Sequence, residues 1–361
     1  MQRPQQTEAQ MLVVPTGQSS CSRLTLFRHS PPAGKGGRPQ VVIVTVHDMG
    51  SDHQPFVHFV ERHCPPALRQ HALFYHVCLP GQEEKARDYH GTYPRLEEIG
   101  QALVGAMATL QHPLFIGLGE GVGANILCRS AIKHPRALLG LVLLHCTSTE
   151  AGFLEKFNDW TIQRHLSGGT MTKGAYEYLT FHRYGTTHID ERAPPAARAF
   201  VREMNARNPK NLSQLLRAFC RRTDLSKKLR QQMTTNAVLI TGAKSSHLHT
   251  VRTMFSAMDP RNTSLVITPD VGDVLTEAPN ALLRSLILFC HGMSLLATVS
   301  VPPLGRFAPS QQQQQQQQLP PKPLAGHTLH KWQEEERSSF RSKPPPAPGR
   351  PFPHRLPPKN P

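Results

Sequence analysis

Short apolar runs alternate with helical patterns along the middle of the chain. The run Val41–Val46 is continuous and β-branched, and Ala72–Val77 is similar. Such runs are typical of strands buried on both faces of a parallel sheet. The same pattern predicts four more strands, at 114–118, 139–144, 237–241 and 264–268.

Helical spacing follows most of these runs. Apolar residues three or four positions apart predict helices over 94–111, 122–134 and 278–290. The repeated order of strand, helix and strand predicts an α/β fold with a doubly wound, mostly parallel sheet. Residues 148–232 are more polar and lack strand runs, which predicts a helical cap inserted into that sheet.

The two ends of the chain have a different composition. Residues 1–38 are rich in Gln, Ser, Gly and Pro, with one β-like patch at 22–28. Residues 294–361 contain the glutamine run Gln311–Gln318 and a proline-rich end. Chains of this composition bury too little apolar surface to offset the entropy of ordering. We therefore expect a folded domain over 39–293 between disordered termini.

Positive charge is concentrated in these ends. Of the formal net charge of +16, residues 1–38 hold +4 and residues 294–361 hold +6. A basic tail suits RNA or an anionic membrane surface, although a merely solvated tail has the same composition.

The cysteines and the N-terminus bear on the compartment. The seven cysteines are scattered and form no C-x-x-C pair, which favours reduced thiols. No signal peptide and no clean apolar run of about 18 residues is evident. We expect a cytoplasmic protein, with a nuclear or peripheral membrane pool as the alternative.

The most informative motif is a strand, turn and helix over 115–127. Its layout is that of the nucleophile elbow G-x-S-x-G. Gly119 and Gly123 occupy the flanking glycine positions, but the nucleophile position holds Gly121, which has no side chain.

The order of elements around this turn resembles the α/β-hydrolase fold. In that family the catalytic acid follows the strand after the cap, and the catalytic histidine follows the last strand. The matching positions here hold Ser245 and Asp273. Acyl transfer needs a nucleophile, a base and a group that orients the base. The resemblance therefore implies a hydrolase fold without its triad, and not an enzyme.

The segment His47–Gly50 lies where the oxyanion loop of that fold begins. A tight turn stabilised by Asp48 and Gly50 is the interpretation we favour, and a remnant oxyanion hole that includes Val122 is the alternative. An enzyme that uses Asp48, Glu120 or Asp273 as non-standard catalytic groups is a further alternative. The scattered histidines do not form a ligand set, and we predict neither a metal nor a cofactor.

Several segments together resemble the N-myc downstream-regulated gene (NDRG) family. They are His47–Gly50, His76–Glu83, Tyr93-Pro94, Ile116–Gly119, Gly123–Leu127, His134-Pro135, Gly140–Leu144, Asn211-Leu212 and Arg221–Leu225. The resemblance covers about 40–293. It implies a non-hydrolytic cytoplasmic adaptor in signalling, differentiation, stress response or trafficking, with protein and lipid contacts.

The tail contains two kinds of candidate contact. Pro345, Pro348 and Arg350 fit P-x-x-P-x-R, and Arg355, Pro358 and Pro361 fit R-x-x-P-x-x-P. Both patterns suit SH3 grooves, although a plain disordered spacer of this composition gives the same matches. Ser338, Ser339 and Ser342 lie among basic residues and are candidate phosphorylation sites for a basophilic kinase.

Overall fold

An eight-stranded sheet organises the protein. The computed structural model describes residues 9–29, 39–151 and 162–303. The strand order is β1-β2-β4-β3-β5-β6-β7-β8, with β1 and β2 antiparallel to their neighbours and the other strands parallel. The strands are β1 (Gln10–Pro15), β2 (Arg23–His29), β3 (Val41–Val46), β4 (Ala72–Cys78), β5 (Phe115–Glu120), β6 (Leu138–Leu144), β7 (Ala237–Gly242) and β8 (Thr263–Thr268). The predicted doubly wound, mostly parallel sheet is confirmed.

The central strands are buried because helices cover both faces of the sheet. Every residue of β3, β4, β5 and β7 is buried. Along β3, Val42 and Val44 pack into one apolar core, while Val41 and Ile43 pack into the other. The described helices are α1 (Gln54–His63), α2 (Pro66–His71), α3 (Leu96–Thr109), α4 (Val122–Lys133), α5 (Lys173–Tyr184), α6 (Pro195–Met204), α7 (Pro209–Cys220), α8 (Ser226–Gln232), α9 (Leu248–Ala257), α10 (Val274–Glu277) and α11 (Pro279–Gly292).

The segment between β6 and β7 is helical, as the sequence predicts. Helices α5 to α8 lie there, and they form the cap. Phe200 of α6 and Leu212 of α7 are buried in the same core as the sheet. The cap is therefore packed onto the domain through apolar side chains.

The expected disordered termini need correction. The sequence predicts disorder over 1–38, but β1 and β2 form an antiparallel hairpin that joins the sheet through β4. At the other end, Leu296 and Val299 are buried in the core, although 294–361 is predicted to be disordered. The folded domain therefore extends beyond 39–293 on both sides. The glutamine run, the proline motifs and the candidate phosphorylation sites lie outside the described residues.

Within the described ranges, no helix combines the length and the apolar character needed to cross a bilayer.

Candidate functional site

The predicted elbow is present at the end of β5. Gly121 is the N-cap of α4 and has φ 50° and ψ −111°, which places it in the left-handed region that side chains disfavour. A Cβ built on Gly121 would lie 2.2 Å from the carboxylate of Asp48. The position of a nucleophile's side chain is therefore occupied by Asp48.

Asp48 also fills the oxyanion hole. In the hydrolase fold that hole is formed by the backbone N–H after the nucleophile and an N–H from the loop after the strand equivalent to β3. The corresponding groups, Val122 N and Met49 N, each donate to Asp48 Oδ1 at 2.8 Å. The protein's own carboxylate thus takes the place of a substrate oxyanion.

The second oxygen of Asp48 contacts the cap. His182 Nε2, in the last turn of α5, lies 2.9 Å from Asp48 Oδ2. Burial would raise the pKa of Asp48, but the charge of His182 and the hydrogen bonds from His182 and Val122 outweigh burial and lower the pKa to about 2. Asp48 is therefore ionised at neutral pH.

The other two triad positions meet around His145, which directly follows β6. Ser245 Oγ lies 3.1 Å from His145 Nδ1, and Asp273 Oδ1 lies 3.6 Å from His145 Nε2. Val274 N donates to His145 Nε2 at 3.3 Å, which leaves Nδ1 to carry the ring proton in the neutral tautomer. The positions that the sequence aligns with a triad are adjacent in space, but His145 is held by hydrogen bonds on both ring nitrogens.

Arg183 connects the cap to two buried carboxyl groups. Its Nη2 lies 3.0 Å from Glu120 Oε2, and its Nε lies 3.3 Å from Asp273 Oδ2. Burial raises the pKa of Glu120 well above its usual value; Arg183 opposes this, and Asp273 and Asp48 add to it. Burial would also raise the pKa of Asp273, but Arg183 lowers it below the usual range. The surroundings thus favour the protonated form of Glu120 and the ionised form of Asp273.

A cavity of about 290 Å³ opens above these groups. Phe181, His182 and Phe219 line it from the cap, and His247 lines it from the start of α9. Asp48, Gly121 and Asp273 are not among its lining residues. Burial and the neighbouring His182 and His145 lower the pKa of His247 well below its usual value. The imidazole of His247 is therefore neutral at the wall of this cavity.

The predicted oxyanion loop forms a tight turn and also keeps the geometry of an oxyanion hole. His47 Nε2 accepts from Leu79 N at 3.0 Å, and His47 Nδ1 lies 2.7 Å from Asp48 O, so His47 fastens this loop to the end of β4. Gly50 has φ 73° and lies against Phe200 of the cap. A tight turn, which is the interpretation favoured from the sequence, therefore does not describe this loop fully, because Asp48 also accepts a hydrogen bond from Val122 N across the site.

Sequence reasoning missed four residues of this site: His145, His182, Arg183 and His247. His145 carried a usable signal, because it follows a parallel strand whose carboxyl end faces the same edge as the elbow. His182 and Arg183 come from the cap, where no sequence spacing relates them to the sheet. No group of three or more His, Cys, Asp or Glu residues in the described part of the chain is arranged to hold a metal ion.

A model of the Ndr family matches residues 33–297. The chain belongs to the Ndr family. The resemblance to this family that the separate segments indicate is therefore confirmed. The elbow in which Asp48 occupies the position of the nucleophile's side chain belongs to an Ndr-family domain.

Two relatives show how similar this Ndr-family chain is in sequence to other proteins. It is 40% identical to an uncharacterized protein of Caenorhabditis elegans over 299 residues, which is 82% of this chain and 89% of that protein. It is 28% identical to an NDRG-like protein of Dictyostelium discoideum over 261 residues, which is 70% of this chain and 78% of that protein.

Solved α/β hydrolases share the fold. A thermophilic esterase from Thermogutta terrifontis superposes with a TM-score of 0.63 at 16% identity, covering 79% of this chain and 99% of the esterase. An enol-lactonase from Burkholderia xenovorans gives a TM-score of 0.58 at 15% identity, covering 74% of this chain and 97% of the lactonase. At these identities the likeness concerns the fold alone.

Proposed function

We propose that this Ndr-family protein is a non-enzymatic adaptor that binds other proteins in cytoplasmic signalling, differentiation, stress response or trafficking. The observation that supports the loss of catalysis most directly is the position of Asp48. A substrate carbonyl would have to displace a carboxylate that accepts two backbone N–H groups and contacts His182. Gly121 provides no nucleophile to attack that carbonyl.

An esterase assay on the full chain tests this proposal. We expect no saturable hydrolysis of p-nitrophenyl acetate or butyrate above the background rate in buffer. The matched variant is Asp48→Asn, which keeps a side-chain oxygen for Met49 N and Val122 N while removing the negative charge. Saturable hydrolysis by the natural chain that Asp48→Asn abolishes would overturn the proposal.

An enzyme with non-standard groups is the second candidate, and the raised pKa of Glu120 favours it, because perturbed carboxyl groups cluster at catalytic sites. Glu120 is 1% exposed and does not line the cavity above the site, so a substrate in that cavity would not reach it. In the same assay, activity that Glu120→Gln removes would support this candidate over the adaptor.

The tail offers the contacts through which an adaptor would act. We place SH3 binding on the two proline motifs that include Arg350 and Arg355, and kinase regulation on Ser338, Ser339 and Ser342. Basic-tail binding to RNA or anionic lipid is the alternative, and it would weaken steeply with salt. Titration of the full chain with purified SH3 domains checks the first contact, and absence of binding to all of them removes it.

A further inference from the structure

A second cavity lies beside α7. It has a volume of about 650 Å³ and is bounded by residues 91–97, which lead into the start of α3, and by one face of α7. We call it the basic cavity. Its volume lies in the range of small-molecule binding sites, which is about 300–1,000 Å³. Its lining differs from that of such sites in being strongly cationic.

Five cationic side chains line the basic cavity: Arg95, Lys210, Arg217, Arg221 and Arg222. Its one carboxylate, Glu97, is already paired with the buried Arg129. The excess positive charge is therefore not neutralised by the carboxyl group that lines the cavity. An anion entering it would meet attraction from several directions.

These cations differ in their partners. Arg95 pairs with Glu98, and Lys210 pairs with Asp88. Arg222 donates to backbone carbonyls and stacks on Phe219. Arg217 and Arg221 are exposed and have no carboxylate within ion-pair distance among the residues that the structure describes. They are the two guanidinium groups with their donors available to a ligand.

The spacing of these two arginines fits a ligand with more than one phosphate. Arg217 and Arg221 are four positions apart at the end of α7, which puts their Cβ atoms about 5–6 Å apart on one helix face. Each guanidinium can donate two parallel hydrogen bonds to one phosphate. Lys210 lies two helical turns before Arg217 on that face, where its ammonium is already paired with Asp88.

We propose that the basic cavity binds a ligand that carries two or more phosphate groups on one small ring or chain. Free inositol polyphosphates and phosphoinositide headgroups share this chemistry. A nucleotide base is disfavoured, because the one aromatic ring in the lining, that of Tyr93, already packs against Tyr89 with the ring centroids 5.2 Å apart. The proposal is independent of the adaptor function, since it concerns neither the elbow nor the tail.

The test is calorimetric titration of the full chain with inositol hexakisphosphate at physiological salt. We expect Arg217→Ala/Arg221→Ala to bind at least about tenfold more weakly than the natural chain. The matched control is Arg202→Ala/Arg252→Ala, which removes the same charge from exposed helical positions outside the cavity. We expect it to bind within about twofold of the natural chain.

Both double variants retain the basic tail, so a difference in affinity between them reports the contribution of the cavity. Equal losses in the two double variants would show non-specific attraction and overturn the proposal, as would no binding by the natural chain. Phosphatidylcholine vesicles with and without phosphatidylinositol bisphosphate then distinguish the source. Vesicle binding that Arg217→Ala/Arg221→Ala removes assigns a lipid headgroup, and titration without vesicle binding assigns a soluble polyphosphate.

Discussion

At the scale of single residues, Gly121 and Asp48 are two parts of one arrangement. A side chain at 121 and the carboxylate of Asp48 require the same space, since a Cβ on Gly121 would lie 2.2 Å from that carboxylate. The absence of a nucleophile and the presence of an internal oxyanion therefore depend on each other. A serine side chain introduced at 121 alone would clash with Asp48 instead of contacting a substrate.

We predict that Gly121→Ala destabilises the protein by about 2–5 kcal/mol. The left-handed backbone of Gly121 costs a non-glycine residue about 1–2 kcal/mol, and forcing a methyl group into filled space costs typically about 1–3 kcal/mol. The free energy of unfolding, measured with a chemical denaturant, gives the loss.

Two variants separate the backbone strain from the clash. Gly17 has φ 72° and faces open space, since no atom lies within 4 Å of a Cβ placed there; Gly17→Ala should therefore cost only the strain. Combining Gly121→Ala with Asp48→Ala should cost less than the sum of the two single changes, because the second removes the clash created by the first. A Gly121→Ala loss no larger than that of Gly17→Ala contradicts this account.

At the scale of elements, the strands of the parallel sheet were predictable, whereas of the terminal hairpin only β2 left a pattern, the β-like patch at 22–28. The central strands are buried on both faces, so their sequences are nearly continuous apolar runs. In β1, Met11 and Val13 are exposed and only Val14 is buried. An edge hairpin therefore leaves a weak sequence pattern, which resembles that of a polar terminal segment.

The same contrast applies to the site. Gly121, Ser245 and Asp273 could be placed together from sequence, because they follow parallel strands whose carboxyl ends share one edge. His182 and Arg183 lie in the last turn of α5, and their contacts depend on how the cap packs on the sheet. Tertiary packing of that kind has no local sequence period, so the charge network of the site could not be predicted.

Helix α5 holds the cap to the sheet through its last turn, and we predict that Arg183→Met destabilises the protein by about 3–5 kcal/mol. Removing Arg183 would leave Glu120 and Asp273 buried without their shared cation. The control is Arg192→Met, which breaks an exposed pair with Asp190 and should leave the free energy of unfolding almost unchanged. Denaturant unfolding of both variants measures the difference, and equal small losses would show that the buried network does not fasten the cap.

At the scale of the whole molecule, buried histidines set the response of stability to acid. His47, His53 and His76 are all buried, with His53 the most exposed of them at 7%. Burial lowers the pKa of His47 and of His53 to about 4 and lowers the pKa of His76 well below its usual value. The unfolded chain, in contrast, protonates its histidines near about pH 6.5. The folded protein is thus built around imidazole rings that must remain neutral.

We predict that the free energy of unfolding falls as the pH is lowered from about 6.5 towards about 4. In this window the unfolded state binds protons at these three histidines and the folded state does not, so acid favours unfolding. Glu120 acts in the opposite direction, because its raised pKa makes the folded state hold a proton that the unfolded state releases above about pH 4.5. Three histidines make acid favour unfolding, and one carboxyl group opposes this. The free energy of unfolding therefore changes with pH more steeply than for a single proton, which gives about 1.4 kcal/mol per pH unit.

Denaturant unfolding at intervals between about pH 7.5 and about pH 4.5 measures this slope, and added salt identifies its origin. The chain carries a formal net charge of +16, and self-repulsion that grows on acidification would also destabilise it. Repulsion between exposed charges is screened by salt at about 0.5 M, whereas the cost of protonating a buried imidazole is screened much less. We therefore expect the slope to persist at high salt. A slope that disappears there would assign the acid sensitivity to the charged surface, and a flat profile at both salt concentrations would show that the buried histidines are protonated without unfolding.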